Sequence, residues 1–234
     1  MSKTNRRRGN RAGAAPVWAS QNFLTSAAVI NRIVSRAGLC HTDHVVEIGP
    51  GKGHITKKLL AACGRVTAVE IDRNLYDKLS VKFEHQANLN LVHGDFLRWP
   101  LPLPPYKVFA NIPFNRTTEI IRKLCAGQDG PDALWLVVEK GAAKRFLGQP
   151  RESLSSLLLK PFYDAKIVYY FRREDFHPAP SVDAVLLHLA KKPAPDVPER
   201  ERGLYERFLR AQFGPSREMR YVQWLCLFRR LARR

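Results

Sequence analysis

The chain has 234 residues, enough for one α/β domain with a small appendage but too few for two large domains. Hydrophobic residues make up 45% of it, and no run approaches the ~20 apolar residues of a membrane-spanning helix, so we expect neither general disorder nor a membrane protein. Lys and Arg outnumber Asp and Glu by 39 to 21, and the resulting net charge of +18 favours a polyanionic partner.

The positive charge is concentrated at the two ends of the chain. Residues 1–20 carry five basic and no acidic side chains, and residues 191–234 carry twelve basic and five acidic ones. Surface charge of this kind can serve solubility alone. Its concentration at the two ends of the chain instead favours binding to nucleic-acid phosphates. We therefore predict a flexible basic arm over residues 1–20, a catalytic domain over 21–190 and a basic RNA-binding lobe over 191–234.

Cysteine usage indicates a reducing compartment. The four cysteines lie far apart, form no CxxC pair and have no histidine at metal-ligand spacing. We therefore predict free thiols in a cytoplasmic protein, and no metal site.

Apolar periodicity predicts alternating strands and helices. A first helix spans Ile30 to Ala37 at helical spacing, with Thr25 or Ser26 as its cap and Gly38 at its end. Strands and helices then alternate, which predicts a mostly parallel sheet with helices on both faces. The predicted strands are His44–Ile48, Val66–Ile71, Leu89–His93, Tyr106–Ala110 and Leu134–Glu139, and the predicted helices are Ile55–Cys63, Leu75–Phe83, Thr118–Cys125, Ala142–Leu147 and Leu154–Leu159.

The last third of the chain shows a different pattern. Two strands, Lys166–Phe171 and Ala184–Leu189, follow each other without a helix, which predicts an antiparallel pair at one edge of the sheet. Three prolines within residues 193–198 predict a linker. Beyond it, apolar residues recur at helical spacing among arginines, so we expect two or three short helices that lean on the main domain.

A glycine-rich turn, Gly49 to Gly53, joins the first buried strand to a helix. Glycines without side chains let a ligand lie against the backbone. On its own the turn is compatible with NAD, with S-adenosylmethionine (SAM), or with a tight strand–helix connection that binds nothing.

Acidic residues stand at the ends of the next two predicted strands. Glu70 could accept both ribose hydroxyls of an adenosine cofactor, and Asp95 could accept from its adenine amino group while Phe96 supports the ring. Glu70 alone could also be a solvated residue at a strand end. A nucleotide-phosphate site would require Lys, Ser or Thr here, so the combination favours SAM.

The segment Asn111-Ile112-Pro113-Phe114 directly follows a strand. The Asn111 side-chain oxygen and the Ile112 carbonyl would accept hydrogen bonds from both N–H groups of an adenine amine. These bonds would turn the lone pair of the amine toward a methyl donor. Pro113 stiffens the turn, and Phe114 offers a face on which an extruded base can stack. No cysteine adjoins this segment, which argues against a covalent mechanism.

Taken together, the motifs resemble those of the rRNA adenine dimethylase family. They are Gln21–Leu24, Glu47–Gly53, Gly94-Asp95 and Asn111–Phe114, and two further segments, Val138–Arg145 and Phe176–Val182, resemble its Erm branch. Erm enzymes methylate an adenine of 23S rRNA and confer resistance to macrolides, lincosamides and streptogramin B. The resemblance runs from Gln21 to about Leu189, and the C-terminal part matches only loosely.

The resemblance implies a fold, a cofactor and a set of site residues. It implies a class I SAM-dependent methyltransferase, Rossmann-like with a small α-helical C-terminal lobe, that uses SAM without a metal, binds 23S rRNA and acts as a monomer. The implied cofactor residues are Gln21, Asn22, Leu24, Gly49, Gly51, Gly53, Glu70, Ile71, Asp95, Phe96 and Asn111, and the implied catalytic residues are Asn111, Ile112, Pro113, Phe114 and Phe176. Phe114 departs from the family, which more often has Tyr there.

Three alternatives remain at this stage. The first is the small-subunit dimethylase that modifies 16S rRNA, although those enzymes generally have Leu in place of Ile112. The second is a non-catalytic RNA-binding factor on the same fold, and the third is a NAD-dependent oxidoreductase. Whether one or two methyl groups are added does not follow from the sequence.

Overall fold

The computed structural model describes residues 22–213 and 219–232. The predicted basic arm and the predicted cofactor residue Gln21 lie outside these ranges. The strands are β1 (Phe23–Leu24), β2 (His44–Ile48), β3 (Arg65–Glu70), β4 (Leu89–His93), β5 (Lys107–Asn111), β6 (Ala133–Glu139), β7 (Tyr163–Tyr170), β8 (Phe176–His177) and β9 (Ala184–Lys191). The α-helices are α1 (Ala27–Arg36), α2 (His54–Ala62), α3 (Arg73–Lys82), α4 (Thr117–Leu124), α5 (Lys140–Leu147), α6 (Leu154–Leu159), α7 (Arg202–Gln212) and α8 (Tyr221–Ala232).

One seven-stranded sheet organises the fold, with the strand order β4-β3-β2-β5-β6-β9-β7. The first five of these strands run parallel, and β9 is antiparallel to both β6 and β7. This confirms the predicted mostly parallel sheet with an antiparallel pair at one edge. Chain order reverses between β2 and β5, and in open α/β sheets ligands bind beyond the carboxyl ends of the strands at such a point.

The central strands are buried on both faces, as expected for parallel strands covered by helices. Val45 and Phe109 belong to the core on one face, where α1, α2 and α3 pack. Val46 and Val108 belong to the core on the other face, where α4, α5 and α6 pack. None of the helices within the described residues is long and apolar enough to cross a membrane.

Two features of the strands differ from the prediction. β7 begins at Tyr163, three residues earlier than expected, and its pairing with β9 is interrupted by a bulge between Ile167 and Tyr169. The antiparallel pair β1–β8 was not predicted. Strands of two residues carry no readable alternation, and a bulge breaks the alternation that identifies longer strands.

The C-terminal helices pack on the same core as the sheet, which confirms the expectation that they lean on the main domain. Tyr205 of α7 and Trp224 and Phe228 of α8 are buried in the cluster that contains the inner strands. The predicted linker is held in place too, because Val197 is buried and the Asp196 carboxylate accepts hydrogen bonds from Lys192 and Tyr221. The division into a domain over 21–190 and a lobe over 191–234 stays a prediction.

Replacing Trp224 tests how tightly this segment is coupled to the rest of the fold. Trp224 is 0% exposed and packs against Phe208 and Phe213, so we expect Trp224→Ala to lower the free energy of unfolding by about 3–5 kcal/mol. Val222→Ala, on an exposed site of the same helix, should change it by less than about 0.5 kcal/mol. Urea denaturation followed by circular dichroism measures both. A separate early transition in Trp224→Ala would instead show that the lobe unfolds independently.

Candidate active site

The predicted site residues converge at the carboxyl ends of the parallel strands. Two adjoining pockets open there and share Gly49 and Pro113. The first is lined by Asn22, Phe23, Leu24, Glu47, Gly49, Pro50, Lys52, His54, Ile55, Asn111, Ile112, Pro113 and Phe114. The second is lined by Ile48, Gly49, Val69, Glu70, Ile71, Gly94, Asp95, Phe96, Leu97, Pro113, Arg116 and Ile120.

The three glycines of the loop all have positive φ, between 59° and 75°, which L side chains rarely adopt. A Cβ atom on Gly51 would lie 2.7 Å from the Phe23 ring, and one on Gly53 would lie 2.7 Å from Leu79 and Phe83. A Cβ atom on Gly49 would meet no atom within 4 Å. Gly51 and Gly53 are therefore required for packing, whereas Gly49 leaves open space next to both pockets.

Glu70 ends β3 with its carboxylate turned into the site. Its two oxygens accept hydrogen bonds from the backbone N–H groups of Gly51 (3.0 Å) and Asp72 (2.9 Å). Burial raises the pKa of Glu70, and these two hydrogen bonds oppose that shift. The Glu70 side chain is fully buried in the ligand-free protein and lines the second pocket.

The second pocket brings Glu70 together with the other predicted adenosine residues. Asp95 lies across from it at the end of β4, with Oδ1 accepting from the Leu97 N–H at 2.9 Å. Phe96 is buried in the pocket wall, and Ile71 stands at the rim, 46% exposed. The pocket thus combines two carboxylates with apolar walls, which suits an adenosine.

Asn111 ends β5, where its side chain faces the first pocket. Its Nδ2 donates to the Asn22 carbonyl at 2.8 Å, and this bond fixes the orientation of the amide. The other end of the amide, Oδ1, accepts no hydrogen bond from a described residue, so it is available to a ligand. Phe114 is half-buried on the same pocket, and Ile112 is buried beneath it.

Glu47 was not predicted as a site residue, although it precedes the glycine loop. Its side chain is 1% exposed and lines the first pocket, and its Oε2 is buried without a hydrogen-bond partner. Burial raises the pKa of Glu47 to about 8; the nearby Thr56 opposes this shift, and the charge of Glu70 contributes to it. The sequence signal was available, because an acidic residue within a buried strand next to a ligand-binding loop is unusual.

Some predicted residues do not line either pocket. Phe176 is 4% exposed and packs in the core, in the same cluster as Phe114. Gly51 and Gly53 contribute through the packing described above. The described residues contain no group of three or more His, Cys, Asp or Glu side chains that could hold a metal ion.

Comparison with known proteins decides the family. A sequence model of the ribosomal RNA adenine dimethylase family matches residues 18–219. The chain belongs to this family. It is a SAM-dependent rRNA adenine-N6 methyltransferase.

Individual relatives agree with this assignment. The chain is 40% identical to the rRNA adenine N-6-methyltransferase of Lysinibacillus sphaericus over 191 residues, which cover 81% of this chain and 77% of that protein. It is 35% identical to the ribosomal RNA small subunit methyltransferase A of a Synechococcus species over 85% of this chain and 74% of that protein. Among solved structures, the 23S rRNA methyltransferase ErmE superposes with a TM-score of 0.77 and 25% identity, covering 90% of this chain and all of that chain.

Proposed function

We propose that the enzyme methylates the exocyclic N6 amine of one adenine in 23S rRNA and thereby confers resistance to macrolides, lincosamides and streptogramin B. The observation that carries the choice of rRNA is the structural likeness to ErmE over that protein's whole length. Ile112 in the Asn-Ile-Pro-Phe segment, where small-subunit enzymes generally have Leu, supports the same choice.

The residues that line the two pockets include the acidic groups that SAM would need. The unpartnered Glu47 carboxyl would accept from the ammonium of the methionine part, and the open space beside Gly49 would take its backbone-like chain. Glu70 and Asp95 would hold the ribose and the adenine. Since both pockets share Gly49 and Pro113, one extended ligand can occupy them together.

Asn111 and Phe114 would prepare the target base. SAM supplies an activated methyl group when bound. The free Oδ1 of Asn111 accepts from the adenine amine and draws its lone pair out of conjugation with the ring, while Phe114 stacks on the base. The enzyme forms no covalent bond with the RNA in this scheme. It would accelerate the reaction by positioning the two substrates and by excluding water.

Primer extension on rRNA from cells that express the protein tests the choice of substrate. A doubly methylated adenine cannot pair through N6, so reverse transcriptase should stop at one adenine of 23S rRNA. An Asn111→Ala strain is the control and should give no stop. Nucleoside mass spectrometry of the purified 23S rRNA then counts the methyl groups.

A second candidate is the small-subunit activity, which the 35% identity to the Synechococcus enzyme favours. This candidate predicts stops near the 3′ end of 16S rRNA and no gain in macrolide resistance. Stops on 16S rRNA alone would overturn our proposal in its favour.

Ligand-dependent stability tests the cofactor separately. We expect SAM at 100 times its Kd to stabilise the folded protein by about 2.7 kcal/mol through mass action, and NAD to leave the melting temperature unchanged. Glu70→Ala should abolish most of the SAM shift because it removes the proposed ribose acceptor. Differential scanning fluorimetry measures both, and stabilisation by NAD but not by SAM would refute the assignment.

Phe114 should contribute to activity by stacking its ring face on the target adenine. Base–aromatic stacking contributes about 1–3 kcal/mol, so we expect Phe114→Ala to lower kcat/KM for an rRNA fragment by roughly 5- to 150-fold. Phe114→Tyr keeps the face and should stay within about tenfold of the parent. SAM affinity, measured by titration, should not change in either variant. Full activity of Phe114→Ala would mean that the ring only packs in the core.

A further inference from the structure

A third pocket lies away from the catalytic pockets, on the sheet face covered by α1. Its floor is formed where β6, β9 and β7 run side by side, and its wall is the last turn of α1. Its lining includes Arg36, Trp135, Lys166, Tyr169 and His188.

The floor of this pocket is aromatic. His188 stacks on Trp135 with ring centroids 4.8 Å apart, and Trp135 in turn stacks on Phe109 at 6.4 Å. His188 is half-buried and makes no hydrogen bond to a described residue. Burial and the charge of Lys166 lower the pKa of His188, so the ring is neutral at pH 7 and keeps one donor and one acceptor.

The bulge in β7 brings a second aromatic ring to the same pocket. Lys166 lies opposite His188, and without a bulge the side chain three residues later would point to the other face. The extra residue between Ile167 and Tyr169 restores Tyr169 to the face of Lys166. The irregularity therefore places a lysine and a tyrosine around one opening.

Two cations stand at the mouth. Arg36 and Lys166 are both exposed, and neither forms an ion pair with a described residue. α1 contains no acidic residue that could neutralise Arg36. Unpaired cations beside flat aromatic rings suit a nucleotide, whose phosphate and base need these two kinds of partner.

A row of aromatic rings connects this pocket with the catalytic pocket. Tyr169 contacts Phe171 at 4.9 Å, and Phe171 contacts Phe176 at 5.4 Å, both edge to face. Phe176 shares its core cluster with Phe114. α1 begins three residues after Leu24 of the first pocket and ends at Arg36 of this one, and its ten residues are about 15 Å long, a length that a short single-stranded segment covers.

We propose that this pocket, here called the α1 exosite (Arg36, Trp135, Lys166, Tyr169 and His188), holds an unpaired nucleotide of the rRNA substrate while another of its bases occupies the catalytic pocket. The base stacks on His188, and Arg36 and Lys166 bind the adjoining phosphates. The proposal rests on the rRNA-methylating activity but not on which rRNA is the substrate. Its role is substrate affinity rather than chemistry.

Binding of a fluorescent rRNA hairpin with single-stranded flanks, followed by anisotropy at several salt concentrations, tests the exosite. We expect Arg36→Glu/Lys166→Glu to raise the RNA Kd at least tenfold and to lower the salt slope by about 0.7 for each lost phosphate contact. His188→Ala should raise Kd at least fivefold. In both variants KM for RNA should rise, while kcat at saturating RNA and SAM affinity stay within twofold of the parent.

A matched double reversal on the opposite half of the sheet, Arg65→Glu/Lys78→Glu, changes the net charge equally and should raise Kd by less than threefold. Arg36→Lys/Lys166→Arg should bind like the parent. Because His188→Ala removes a packed ring, His188→Tyr serves as a second variant that restores stacking and affinity. Equal losses in the exosite and control reversals, or unchanged Kd in the exosite reversal, would overturn the proposal. Neither result would change which adenine is methylated. The exosite and the choice of 23S rRNA as substrate are therefore tested independently.

Discussion

Asn111→Ala should lower kcat/KM for rRNA by about 100- to 1,000-fold, the size of effect seen when one hydrogen-bonding group that stabilises a transition state is removed. The reason is that the two polar atoms of the Asn111 amide have different partners. Nδ2 is committed to the Asn22 carbonyl at 2.8 Å, and Oδ1 has no described partner. Alanine removes the acceptor that would polarise the adenine amine. Single-turnover methyl transfer at saturating SAM measures the loss.

Two further variants make the result specific. Asn115→Ala, four residues on and exposed, should stay within about twofold of the parent. Asn111→Asp keeps an acceptor but loses the donor to Asn22, so its activity should fall between those of the parent and Asn111→Ala. An Asn111→Ala enzyme within fivefold of the parent would show that this side chain only supports the turn.

SAM binding at pH 7 should release close to one proton, and this release should vanish in Glu47→Gln. Burial raises the pKa of Glu47 to about 8, so the carboxyl is mostly protonated in the ligand-free protein. An ammonium group beside it would favour the ionised form and expel the proton. Titration calorimetry in two buffers of different ionisation enthalpy measures the release. We also expect Glu47→Gln to weaken SAM binding by roughly 10- to 150-fold, since a hydrogen bond to a charged group contributes about 1.5–3 kcal/mol.

The same carboxyl should make the ligand-free protein less stable as the pH rises from about 4.5 to about 8. Its folded pKa lies above the ordinary value of 4.5, so its stabilising contribution is complete below about pH 4.5 and is lost as pH rises through about 8. Between these limits the free energy of unfolding should fall by up to about 1.4 kcal/mol per pH unit on account of Glu47. Glu47→Gln should remove this part of the slope, while Glu119→Gln, on an exposed carboxylate, should not. Equal slopes in parent and Glu47→Gln would contradict the assignment.

The sheet and most of the site could be predicted from the sequence because both depend on local signals. Strands β2 and β4 match their predicted bounds, since both read as short apolar-rich runs between turns. Glu70, Asp95 and Asn111 were predicted from their places at strand ends. In a parallel sheet the carboxyl ends meet at one edge, so local positions alone bring these residues together.

What could not be predicted depends on contacts between distant parts of the chain. Nothing local indicates that Phe176 would turn into the core instead of lining the pocket, or that Glu47 would remain without a partner. Tyr169 joins Lys166 and His188 at the third pocket only because a bulge in β7 re-aims its side chain. Such features arise from packing, and sequence periodicity does not report them.

The small β1–β8 pair has a consequence for the order of folding. It joins Phe23 to His177, and beside it the Thr25 N–H bonds the Asp175 carbonyl, 150 residues away. Closing so long a loop costs chain entropy that two short strands cannot offset before the sheet exists. Because Phe23 also packs on Gly51, and the Asn22 carbonyl accepts a hydrogen bond from Asn111, we expect the methyl-transfer site to be completed after the rest of the fold and to open early. Amide hydrogens there should exchange fastest among the hydrogen-bonded ones, and the cofactor should slow that exchange more than exchange in the distant core.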